Sequence, residues 1–138
     1  MAGFERLTML IIDAGCLYEI VAGTPRAEAI RERVVFDEDQ AAPHVIDVEV
    51  LGVIRREELS GGLDAVAAAR AVDELRTWPG ERFAHRGFIP RVWELRHNVR
   101  GWDAFYVALA EVFDATLLTL DGRLSRATGP RCRIELLD

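Results

Sequence analysis

The sequence predicts an α/β protein, a central parallel sheet with helices on both faces, and three observations carry that prediction. Two short continuous apolar runs, Leu7 to Ile12 and Thr116 to Leu120, lack the alternation of a half-exposed strand and so read as strands buried on both faces. Helical-period segments separate these runs from weaker strand candidates, and parallel neighbours need such crossovers between them. The 138 residues are 50% hydrophobic and 29% charged with only five prolines. That composition fits one globular domain over 1–138, with 1–8 as a possible N-terminal extension, able to bury most of its surface without staples.

Taken in order, Leu7 to Ile12 is halted by Asp13-Ala14-Gly15 and is expected to be the central strand. Cys16 to Val21 reads as a short helix, and Gly23-Thr24-Pro25 breaks it. Arg26 to Val34 resumes with Ala27, Ile30 and Val34 on one face. Asp37-Glu38-Asp39 is a solvated charge run. Ala41-Ala42 is a candidate for a very short strand, and Pro43 is expected to open a helix through about Leu59, ended by Ser60-Gly61-Gly62. Leu63 to Arg76 places Leu63, Val66, Ala67, Val72 and Leu75 in helical spacing before the stop at Trp78-Pro79-Gly80. Glu81 to Arg86 is an edge-strand candidate, and Phe88 to Arg96 reads as a helix with Pro90 in its first turn. The clearest helix is Asp103 to Asp114, with Tyr106, Val107, Ala110 and Phe113 as its apolar stripe. After Thr116 to Leu120 come a helical turn over Leu124 to Arg126 and a last strand over Cys132 to Leu137.

A net charge of −6 argues against a protein that coats nucleic acid through a basic surface, so a nucleic-acid partner must be gripped locally. All seventeen basic residues are arginine. The absence of lysine excludes Schiff-base chemistry, a P-loop lysine and the lysine of a receiver domain. Cys16 and Cys132 have neither C-x-x-C nor zinc spacing and read as small core residues in a reducing compartment. No apolar stretch approaches a membrane span and no signal peptide opens the chain, so a cytoplasmic protein is expected.

Chemistry is expected where the buried strands end. Asp13 and Asp121 stand just past the two apolar runs, and in an open α/β sheet ligands bind outside the carboxyl ends of the strands. Each has an ordinary alternative, since Asp13 would also cap a following helix and Asp121-Gly122 is a common turn pair. Glu49 has Val45, Ile46, Gly52 and Val53 as its helical neighbours, so its carboxylate leaves an apolar face and needs a partner. Asp47 lies about 200° around the same helix and reads as an early-helix acid favoured by the dipole. Asp103 shares a face with Tyr106, Val107 and Ala110, with a helix N-cap as its alternative role. Four carboxylates from four segments, with no lysine and no histidine cluster, suit a hard divalent cation such as Mg2+ or Mn2+. Such an ion would polarise a phosphodiester and lower the pKa of a bound water. His44, His85 and His97 occupy three separate contexts and read as structural or surface residues. Trp78, Trp93 and Trp102 read as caps on the core edge, with partner docking as the alternative.

Asp13 after its strand, Pro43 to Arg55 with Glu49, Arg96 to Glu111 with the run Asp103-Ala104-Phe105-Tyr106-Val107-Ala108-Leu109-Ala110-Glu111, and Leu117 to Leu124 with Thr119-x-Asp121 together resemble the PIN-domain ribonucleases, most of all the VapC toxins of toxin–antitoxin modules. The resemblance spans about Met9 to the C-terminus. It implies a three-layer sandwich with sheet order 3-2-1-4-5, Mg2+- or Mn2+-dependent RNA cleavage, a homodimer, and inhibition by a VapB-type antitoxin. Residue by residue, Asp13, Glu49, Asp103 and Asp121 match the family's acidic quartet and metal ligands, and Thr119 matches a hydroxyl residue that orders the site. Gly15 departs from the pattern, since many relatives carry Ser or Thr there. Relatives often begin just before the first strand, which makes Met9 a candidate natural start. Arg100 and Arg123, nearest in sequence to site acids, are the expected RNA-phosphate contacts, because their planar forks pair phosphates bidentately.

Other classes fit less well. A haloacid-dehalogenase-like phosphatase needs a second Asp two residues after the first and a lysine, and Gly15 and the lysine-free composition exclude it. A non-catalytic PIN-like binding module has no reason to gather like charges in a crevice. A structure-specific DNA nuclease would use the same metal chemistry, and fold analogy does not separate its substrate from RNA.

Overall fold

Leu10, Ile11 and Ile12 are wholly buried, and they make up most of β1 (Met9–Ile12), the middle strand of a five-stranded parallel sheet. The computed structural model describes residues 9–35 and 39–138; Leu7 and Thr8 of the first run, the possible extension over 1–8, and Asp37 and Glu38 of the charge run lie outside the described residues. On one side of β1 lies β2 (Asp39–Pro43), with Ile11 opposite Ala41, and beyond it β3 (Glu81–Phe83). On the other side lies β4 (Thr116–Thr119), with Ile11 opposite Leu117, and beyond it β5 (Ile134–Leu136). The order β3-β2-β1-β4-β5 is the one the resemblance implies. Strand order reverses between β1 and β4, so a crevice is expected at the carboxyl ends of these two strands.

The helices fall into two packed groups around the sheet. In the first, α1 (Ala14–Ala22) lies against α2 (Ala27–Val34), α3 (Val45–Ser60) and α4 (Ala65–Thr77). In the second, α6 (Asp103–Val112) lies across β1, β2 and β4 and is braced by α5 (Ile89–Glu94). The short α7 (Gly122–Ser125) sits against β4 and β5. Residues Ala104 and Tyr106 to Ala110 are all buried, so α6 is enclosed nearly all round rather than along one stripe, and Phe113 at its end is 40% exposed.

Several local expectations shift. Pro43 does not open a helix: it closes β2, which is longer than the Ala41-Ala42 pair because Asp39 and Gln40 also join the ladder, and α3 starts at Val45. The core face of α4 is Ala68, Ala71 and Leu75, whereas Val66 is 69% exposed and Val72 39%. Alanine lets α4 approach its neighbours closely, and hydrophobicity alone ranks the valines above it.

Arg82 on β3 fastens the end of α4. Its Nη1 donates to Trp78 O at 2.7 Å and Gly80 O at 3.0 Å, its Nη2 donates to Leu75 O at 3.0 Å and Asp47 Oδ1 at 2.9 Å, and the guanidinium lies 4.8 Å from the centre of the Trp78 ring. The carbonyls at a helix C-terminus have no partner within the helix, and here the arginine fork supplies donors while Asp47, in the first turn of α3, balances its charge. Gly80 is required beside it, since a Cβ there would stand 2.2 Å from the Trp78 ring. Arg82→Met should keep the apolar stem but leave these carbonyls short of donors, lowering stability by about 2–4 kcal/mol. A urea midpoint equal to that of the unchanged protein would show that the fork contributes nothing.

Candidate active site

Four acids meet at the carboxyl end of the sheet, two placed by strand ends and two by flanking helices. Asp13 follows β1 in an extended conformation and is the N-cap of α1, its Oδ1 accepting from Cys16 N at 2.9 Å. Its other oxygen accepts from the Thr119 hydroxyl of β4, and Thr119 Oγ1 accepts in turn from Asp121 N at 2.9 Å. One buried hydroxyl thus ties the ends of β1 and β4 together. Asp121 caps α7 by accepting from Arg123 N at 2.9 Å. For Asp13 and Asp121, capping and membership of the acidic group coexist.

Glu49 and Asp103 come from the flanking helices. Glu49, half-buried on α3, accepts from Tyr106 Oη at 2.7 Å. The start of α3 is held by His85, whose Nε2 accepts from Val45 N at 2.9 Å, which agrees with a structural histidine. Asp103 is not a cap. Trp102 occupies that position, and Asp103 is the first residue of α6 with its carboxylate left to face the other acids.

The four carboxylates share one electrostatic field. Burial pushes Asp13 above the ordinary carboxylate range; the hydrogen bonds from Thr119 and Cys16 oppose the shift, and the charge of Asp121 adds to it. Burial also raises Glu49, with the Tyr106 bond opposing and the Asp13 charge adding. Asp103 is pushed up to about 6 by burial and then by the charges of Asp13, Glu49 and Asp121, against which Arg100 acts. Asp103 and Asp121 line one cleft together with Arg100 and Arg123, both of which are exposed. Among the described residues, no three acidic, imidazole or thiol side chains are gathered closely enough to ligate one ion together. The oxygen-only donor set still fits Mg2+, which usually takes one or two carboxylates directly and keeps waters on its other positions.

Tyr106 was legible only as part of an apolar stripe. It lies three residues after Asp103, on the same helix face, but its hydroxyl partner is 57 residues away in sequence and no local pattern points to it. Gly15 leaves ordinary space, because a Cβ there would lie 3.6 Å from Asp13 Oδ1. The same Oδ1 accepts the α1 cap bond from Cys16 N, a backbone donor that does not depend on the residue at 15.

Comparison with known proteins gives a consistent result. The profile of the PIN domain matches residues 10–130. Ribonuclease VapC1 of Mycobacterium tuberculosis is 36% identical over 128 residues, covering 92% of this chain and 96% of that protein. VapC ribonuclease Mb0985 of Mycobacterium bovis is 30% identical over 129 residues, covering 94% and 98%. Among solved structures, a chain in the crystal structure of VapBC2 from Rickettsia felis bound to a DNA fragment from their promoter superposes with a TM-score of 0.69 at 13% identity, covering 95% of this chain and 100% of that one.

The raised acids give the metal-free protein a pH dependence of definite sign. A carboxyl whose pKa is higher folded than unfolded binds protons more tightly in the native state, so the stability it contributes is fully present at low pH and is lost as pH rises through the folded pKa. For Asp103 that window runs from about 4 to somewhat above 6. In EDTA, stability should fall across it by on the order of 2–3 kcal/mol from this group. Asp103→Asn should flatten the fall and leave the metal-free protein as stable or more so near neutral pH. Parallel profiles for the two proteins between pH 4 and 7.5 would remove Asp103 from the shared field.

Proposed function

This chain belongs to the PIN-domain family, among the VapC ribonucleases, and from that membership and its acidic site we propose that it is a divalent-metal-dependent endoribonuclease toxin held in check by a VapB-type antitoxin. The observation that carries the metal dependence is the meeting of four carboxylates at the carboxyl edge of the sheet without a cationic partner: among the described residues no ion pair includes Asp13, Glu49, Asp103 or Asp121. These four are proposed to hold Mg2+ or Mn2+, one or two of them directly and the others through the waters the ion keeps. A bound ion of this kind supplies Lewis-acid stabilisation of a phosphodiester and a water of lowered pKa.

The chain's own residues do the arranging. Thr119 holds Asp13 by donating to it and holds the Asp121 backbone by accepting from it, so the acids after β1 and β4 keep one spacing. Tyr106 plays the corresponding part for Glu49. Arg100 and Arg123, at the mouth of the cleft, are proposed to draw the RNA phosphates in, because a chain of net charge −6 cannot attract them through its overall field. We propose a homodimer as well, and exposed Val48, Leu59 and Val66 on α3 and α4 supply apolar surface for protein contact. Two free thiols suit a reducing cytoplasm, and among the described residues no helix is long and apolar enough to cross a membrane.

RNA cleavage should therefore require Mg2+ or Mn2+ and cease in EDTA. Asp13→Asn and Asp121→Asn should each lower it by several orders of magnitude while keeping a native circular dichroism spectrum. Arg100→Ala and Arg123→Ala should weaken RNA binding and reduce its salt dependence. Undiminished cleavage in EDTA would overturn the mechanism, and single-stranded DNA cut as fast as RNA would move the assignment to a DNA nuclease. A protein that bound partners but cut neither would be a non-catalytic module.

A further inference from the structure

We propose that an aromatic row ending at Trp102 is a stacking track for the bases of single-stranded RNA beside the acidic cleft, an inference that rests on the nuclease reading above. The row begins at His44, just after β2, continues to His85, just after β3, and crosses to Phe105 and Trp102 at the start of α6. Successive ring centres are 6.4 Å, 4.8 Å and 6.5 Å apart at interplanar angles of 84°, 46° and 36°. His85 and Phe105 are half-buried, so the inner rings buttress the row, edge to face or tilted, and Trp102 is the large face it offers to a base. It runs along the same edge as the acids. Its two ends adjoin site residues in sequence: His44 stands at the head of α3, which carries Glu49, and Trp102 immediately precedes Asp103.

Trp102 is 61% exposed, although a ring of that size is usually buried for most of its surface. It makes no side-chain cap bond to α6. The turn before it is set by Gly101 at φ +49°, in the left-handed region that glycine enters freely. Arg100, on the other side of that glycine, lines the cleft with Asp103 and Asp121. Trp93 is equally exposed at 66% and makes a useful contrast: the Arg96 guanidinium lies 4.3 Å from its ring centre, and its ring makes no contact with the row.

Charge decides why stacking is needed. Single-strand binding usually combines cations that track the phosphates with aromatic faces that stack the bases. This protein is acidic overall and gathers four carboxylates where the phosphate must go, so its exposed arginines work against the field of the molecule. Base stacking on a neutral indole does not depend on net charge. It is also tolerant of sequence, because every base presents a π-face.

The test is fluorescence anisotropy of a labelled random-sequence single-stranded oligoribonucleotide, and of an abasic chain of the same length, with the full protein in Ca2+, a hard cation for oxygen sites. The unchanged protein should bind the base-bearing chain more tightly than the abasic one. Trp102→Ala should weaken binding of the base-bearing chain by about tenfold to a hundredfold and leave the abasic chain unaffected. Trp102→Phe should keep most of the affinity, Trp102→Leu should behave as alanine does, and Trp93→Ala should change nothing. Equal binding of the two chains by the unchanged protein, unchanged binding by Trp102→Ala, or full rescue by leucine would each overturn the track. So would a Trp102→Ala effect confined to a protein partner. Cleavage of total RNA in Mn2+, assayed in parallel, reports on the nuclease reading alone: cleavage with base-independent binding removes the track, and base-dependent binding without cleavage removes the nuclease.

Discussion

The hydroxyl of Thr119 is the point on which the site turns. Two strands that end side by side would otherwise bring Asp13 and Asp121 together with nothing but repulsion between them. Thr119 donates a hydrogen bond to Asp13 and accepts one from the Asp121 backbone N–H, so a single neutral side chain positions both acids without cancelling either charge. Tyr106 acts in the same sense on Glu49. Hydrogen bonds from neutral donors make a buried carboxylate tolerable while leaving its charge available, whereas a salt bridge would have consumed that charge.

The scaffold uses its arginines differently. Arg91 reaches from α5 to Glu111 on α6, at 2.7 Å and 2.9 Å through Nε and Nη2, and also donates to Gly129 O. Burial alone would raise Glu111, but this fork and the Arg131 N–H outweigh it and hold the carboxyl below its ordinary range. Arg33 pairs with Glu135 on β5, and Arg82 with Asp47. These three pairs join separate elements, and among the described residues no ion pair reaches the four acids. This division explains how one acidic chain contains both paired carboxylates, which read as structure, and unpaired ones at a cleft, which read as chemistry.

Much of the fold was legible because its strongest signals are local. The runs around Ile11 and Leu118 are continuous and apolar, as doubly covered strands must be, and the acid after each is where the strand stops. Glu49 was legible by contradiction, as a charge among apolar helical neighbours. What the residues alone did not yield was pairing across long separations. Strand order came from the resemblance, since nothing local tells β1 to lie between β2 and β4. The Tyr106–Glu49 bond links helices 57 residues apart, and Tyr106 has enough apolar surface to pass as core. Pro43 misled because a proline that can start a helix can equally end a strand, and the face of α4 misled because close helix packing prefers Ala68 and Ala71 to the bulkier Val66 and Val72.

We propose that the four acids form one site whose mutual repulsion a hard cation relieves. The most direct test is calorimetric titration of the protein with Mg2+ in buffers of different ionisation enthalpy, which counts the protons displaced on binding. With Asp103 at about 6, binding at pH 6 should release a substantial fraction of a proton, and binding at pH 8 close to none. Saturable binding with no proton release at pH 6, or no binding at either pH, would contradict the account.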